Sequence, residues 1–99
     1  MSQTARSDVS IDNDQVRVTT WTFQPGEQTG GHRHELPYIV VPLTAGRMRI
    51  ESGDDSTLST LAPGSSYFRE AGAAHNVTND GQQELIFTEI ELKATPRSG

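Results

Sequence analysis

From Pro25 to Gly81 no stretch of this chain runs far before a glycine or proline interrupts it, and the runs between and beside these interruptions are rich in β-branched and aromatic side chains. "QVRVTTWTF" (15–23) stops at Pro25-Gly26, and "YIVV" (38–41) runs into "PLTAG". "RMRIE" (47–51) alternates charged and apolar residues before "SGDD", and "STLSTL" (56–61) meets Pro63-Gly64. "SYF" (66–68), "HNVTN" (75–79) and "ELIFTEIEL" (84–92) complete the series, separated by "EAGAA" and Asp80-Gly81. Branched and aromatic side chains suit a pleated, half-buried surface. Gly and Pro supply the positive or fixed φ that turns need. Nothing repeats at a helical period. The pattern predicts about seven or eight short strands and no helix, hence a sandwich or small barrel. Pro42 lacks an amide hydrogen, so it marks an edge or a bulge of its strand.

With 99 residues the chain makes one domain at most. A chain of this size hides roughly two-thirds of its unfolded surface. The hydrophobic fraction is only 32%, but the net charge of -5 is modest and the turns are regular, which predicts a folded domain with a thin core. We expect the domain to span residues 9–93, between small polar tails at 1–8 and 94–99. Thirteen acidic residues against eight Lys and Arg disfavour a nucleic-acid partner. No apolar run reaches the roughly 18 residues of a membrane span. The start "MSQTARSDVS" lacks the apolar segment of a secretory signal, and there is no cysteine. Disulfides and thiolate metal sites are therefore excluded, and a cytoplasmic location is expected.

The chain has three histidines, and two of them, His32 and His34, flank Arg33 directly after Gly30-Gly31. In an extended strand, residues two apart share a face, so both imidazoles would stand side by side with Arg33 turned away. Two neutral imidazoles on one face are half of a metal site. The third, His75, begins another strand and can reach the same spot in a small barrel. Taken alone, an H-x-H is more often a solvated turn than a ligand pair.

The surroundings decide otherwise. "GEQTGGHRH" places His32 and His34 after Gly26, and Gly46 follows; "GSSYFREAGAAHNVTN" places Gly72, His75 and Asn79 after Gly64. These stretches resemble the two motifs of the cupin superfamily, G-x5-H-x-H-x(3,4)-E-x6-G and G-x5-P-x-G-x2-H-x3-N. More loosely, "RVTTWTFQPGEQTG" and "GGHRHELPYIVVPLTAG" resemble the small stand-alone cupins associated with β-alanine degradation. The resemblance implies a single-domain jelly-roll β-barrel with a site in its mouth, and His32, His34 and His75 as ligands of one divalent transition metal. Imidazole suits Fe, Zn, Ni, Mn or Cu, so the metal is left open. Two positions depart from the pattern. The motif's Glu falls at Tyr38 or Ile39, and its Pro is Glu70.

A three-histidine site leaves the ion's charge uncompensated and coordination positions open. That predicts a small anionic partner and metal-dependent oxygenase, lyase or isomerase chemistry. Two alternatives are a non-catalytic binding or sensory cupin, and a metal-free cupin that uses histidine as a base. Tyr38, beside the vacant Glu position, either packs in the barrel wall or offers its phenol as donor or acid. Arg47 and Arg49 share a strand face; they are either solvated or, if that face is the lumen, a carboxylate clamp. Glu35 and Glu70 read as surface carboxylates near the site. Trp21 and Phe23 read as core or pocket wall, and Met48 and Ile50 as packing. Cupins often pair through their outer sheet, and the thin core suits a homodimer.

Overall fold

The structure, a computed structural model, describes residues 4–93. Nine strands and no helix occur among them: β1 (Arg6–Asp12), β2 (Val16–Phe23), β3 (His32–Arg33), β4 (Tyr38–Pro42), β5 (Gly46–Ser52), β6 (Asp55–Leu61), β7 (Tyr67–Arg69), β8 (Ala74–Asn79) and β9 (Leu85–Leu92). They form a five-stranded sheet in the order β1-β2-β9-β4-β7 and a four-stranded sheet in the order β3-β8-β5-β6. All the strand pairs are antiparallel. This is the expected all-β jelly roll. No helix among the described residues is long and apolar enough to cross a membrane.

Strand parity sets the buried face. Tyr38, Val40 and Pro42 alternate inward along β4, and Leu85 and Phe87 do so at the start of β9. They meet Phe23 of β2 and, from the other sheet, Met48, Leu61 and Val77. The rings of Phe23 and Phe87 stack with centroids 5.4 Å apart. Each such side chain contributes about 1.5–3 kcal/mol by burial, so this core stabilises the fold with few residues. A Cβ on Gly46 would lie 2.7 Å from Leu85 Cδ1; glycine here lets the start of β5 close onto β9. Asn79 is buried, and its amide donates to the carbonyls of Phe23 (3.1 Å) and Gln83 (2.8 Å) while its Oδ1 accepts from the Gly81 N–H (2.9 Å). The last asparagine of the second motif is thus a brace for the turn between β8 and β9.

The strand β1 begins at Arg6, inside the stretch expected to be a tail. Its side chains are exposed throughout. Pairing with β2 by backbone hydrogen bonds holds it in place, not burial, and even its two apolar residues, Val9 and Ile11, stay exposed. Residues 1–3 and the expected tail at 94–99 lie outside the described residues. Pro42 ends β4 opposite Phe87, beyond the reach of β7, whose pairing stops at Val40, so its missing amide hydrogen leaves no gap on that side.

Candidate metal centre

Backbone contacts with β8 position both histidines of the first pair. Before them, the Thr29 N–H donates to Val77 O (2.9 Å) and the Gly30 N–H to the side chain of Asn76 (2.9 Å). His32 then stands in register with His75. After it, the His34 N–H donates to Ala73 O (2.8 Å), and the Gly72 N–H returns to His34 O (2.7 Å). Gly72 has φ +102°, a conformation that glycine adopts without strain, and after this turn β8 starts at Ala74, one residue before His75. Sites distant in the chain therefore meet through sheet pairing.

The rings of His32, His34 and His75 stand nearly edge-on to one another, with centroids 4.6–4.9 Å apart. Their tips converge: Nε2 of His34 lies 3.0 Å from Nε2 of His32 and 3.1 Å from Nε2 of His75. One ligand atom from each of the three lies within 4.8 Å of the others. Nδ1 of His32 lies 3.0 Å from the Gly30 carbonyl and 3.2 Å from Thr29 Oγ1; a hydrogen on Nδ1 satisfies the carbonyl and leaves the Nε2 lone pair for an ion. Two nitrogens each about 2.1 Å from one ion stand about 3.0–3.4 Å apart at angles of 90–109°. The His34 tip stands at that spacing from each of the other two, and without a cation or proton the facing lone pairs repel.

Burial opposes a proton there. It pushes the His34 imidazole down to about 4, with the neighbouring His32 and His75 adding to the effect. His75 is lowered for the same reasons, burial first, then His32 and Arg69. Beneath His34 lies Tyr38, stacked at 4.0 Å with 24° between the planes. Burial raises its phenol to about 12, so it stays protonated. It points inward at one of the two positions, Tyr38 and Ile39, where the motif's carboxylate falls.

A cavity of about 220 Å³ opens beside the cluster, walled by Thr19, Trp21, His32, His34, Glu89 and Glu91 among others. Glu89 and Glu91 continue the inward face that Leu85 and Phe87 begin. Glu91 is held by Arg17, which donates from Nε (2.7 Å) and Nη2 (3.3 Å). Glu89 Oε2 comes within 4.0 Å of His34 Nε2. Burial pushes Glu89 up to about 7, helped by the charge of Glu91 and partly offset by the Trp21 indole. With His34 and Glu89 both driven towards neutral forms, their approach is not an ion pair in the metal-free protein. The Trp21 N–H itself is buried and makes no hydrogen bond of standard geometry.

The structure thus brings together His32, His34, His75 and Tyr38, and it leaves out the arginines. Met48 and Ile50 take the inner face of β5, so Arg47 and Arg49 lie on its outer face, bound to Asp80 at 3.2 and 3.6 Å. The carboxylate clamp expected of them is therefore corrected: they are a surface ion-pair cluster outside the cavity. Glu35 and Glu70 are exposed. The sequence reading missed Arg17, Glu89 and Glu91. The signal was present, since in "ELIFTEIEL" residues 89 and 91 share parity with 85 and 87.

A jelly roll with three histidines converging from two strands defines the class, and the comparisons agree: the cupin domain family matches residues 19–91, and the chain belongs to it. It is 46% identical to the β-alanine degradation protein BauB of Pseudomonas aeruginosa over 85 residues, 86% of this chain and 90% of that one. It is equally identical to a cupin domain from Bordetella pertussis Tohama I, whose crystal structure superposes with a TM-score of 0.91 over 95% of this chain and 98% of that one. An RmlC-like cupin from Methanocaldococcus jannaschii, 14% identical, shares the fold at a TM-score of 0.77 over 93% and 83% of the two chains.

Proposed function

We propose that this cupin is a metal-dependent enzyme that holds one divalent transition metal on His32, His34 and His75 and acts on a small carboxylate from amino-acid breakdown. The observation that carries this reading is the convergence of three Nε2 atoms at 3.0 and 3.1 Å beside an open cavity. When bound, the ion supplies Lewis acidity or an activated oxygen ligand, which suits oxygenase, lyase or isomerase chemistry. The chain's own residues do the rest. Gly30 O orients the His32 ring, and Tyr38 supports His34 from below. Arg17 compensates Glu91, so the cavity wall does not repel an anion there. The volume is below the roughly 300 Å³ at which drug-sized sites begin, which favours a small ligand. The name of the P. aeruginosa relative supports the substrate class.

Elemental analysis of protein purified without a histidine tag tests the reading. We expect close to one divalent metal per chain, lost in His75→Ala. Turnover of a panel of small carboxylates and amino-acid breakdown products, with and without oxygen, should then depend on that metal. Metal-free protein that still converts a panel member would instead make a histidine the base. Metal-loaded protein inert towards the whole panel would favour a binding role.

A further inference from the structure

We infer that Glu89 is the carboxylate of this centre, ligating the ion beside the three histidines in place of the acidic residue absent after His34. The inference rests on the metal-binding reading above.

Its placement is built into the sheet. Glu89 lies on the inward face of β9, opposite Val40 of β4, and Val40 shares its inward face with Tyr38. Strand parity therefore aims Glu89 into the mouth, and its Oε2 reaches within 4.0 Å of His34 Nε2. Its side chain is only 13% exposed, and no arginine pairs with it among the described residues. Glu91, equally buried, has both oxygens on Arg17, so its charge is already compensated. A buried carboxylate without a basic partner is costly, and a cation at the histidine tips is the partner the geometry offers. Three neutral imidazoles leave a divalent ion with its full charge, and one carboxylate halves it. Glu35, although adjacent to His34 in the chain, is exposed and does not serve.

The test is a titration of metal-free protein with Co2+, following calorimetry and the visible d–d absorption of wild type, Glu89→Gln and Glu35→Gln. Circular dichroism of the metal-free forms checks folding. We expect Glu89→Gln to bind Co2+ at least about tenfold more weakly, with a shifted visible band. Glu35→Gln should match wild type in both. Unchanged affinity in Glu89→Gln, or weaker binding with an unchanged band, would overturn the inference while leaving the histidine site standing. Wild type that takes up no Co2+ would overturn both. Should Glu89→Gln fail to fold, Glu89→Asp keeps the charge but shortens its reach, and the same loss and band shift are expected; wild-type behaviour in that variant counts against the inference.

Discussion

In the metal-free protein, two neighbouring groups oppose each other in their response to acid, and replacing one exposes the other. His34 titrates near 6.5 in an unfolded chain and near 4 in the fold. Folding with a neutral His34 is therefore favoured above pH 6.5, and that advantage disappears as the pH falls to 4; at about 1.4 kcal/mol per pH unit it amounts to about 3 kcal/mol. Glu89 runs the other way, from 4.5 unfolded to about 7 folded. Its protonated form stabilises the fold by about 3 kcal/mol below pH 4.5, and this is lost as the pH rises through 7. Between pH 4.5 and 6.5 the two slopes cancel. Glu89→Gln removes one of them, because an amide does not titrate. Relative to wild type, the variant should lose about 2–3 kcal/mol as the pH falls across that window. Urea unfolding in the presence of a chelator, followed by the fluorescence of the single tryptophan, Trp21, measures this directly. Stability curves of wild type and variant that run parallel from pH 6.5 to 4.5 would refute the reasoning.

Three variants test the scaffold and its surface. Asn79→Ala leaves the buried carbonyl of Phe23, and the part-buried one of Gln83, without this donor and should cost about 1–3 kcal/mol in chemical denaturation. Gly46→Ala forces a methyl against Leu85 and should cost about 1–3 kcal/mol by the same measurement; a neutral result would mean that the two sheets are not tightly apposed there. Replacing Arg47 and Arg49 together by alanine should change stability by less than about 1 kcal/mol and leave metal content untouched, since Arg47 is exposed, Arg49 is half-exposed, and both pair with Asp80 outside the cavity. Loss of metal from the double variant would return these arginines to the site.

Much of the fold was legible because strands separated by glycine and proline announce themselves through local chemistry. Seven runs, from "QVRVTTWTF" to "ELIFTEIEL", correspond to β2 and β4 to β9 within a residue or so at their ends. The strand β1 was not legible, because an exposed edge strand needs only backbone pairing and carries no burial pattern. The three histidines stood out by type and spacing. Tyr38 and the two arginines were ambiguous for one reason: alternation gives the two faces of a strand but does not say which one is inside. Met48 buried inward resolved Arg47 and Arg49 outward, and the stack on His34 resolved Tyr38 inward.

By itself the sequence determined the β class, the turns and the identity of the three imidazoles, since these follow from side-chain chemistry and short-range geometry. Only the tertiary structure decided that a carboxylate of the last strand, Glu89, comes within 4.0 Å of His34 and that Arg17 occupies its neighbour Glu91. Those contacts join residues that are far apart in the chain, and their partners are chosen by strand register across the sheet, which no local pattern encodes.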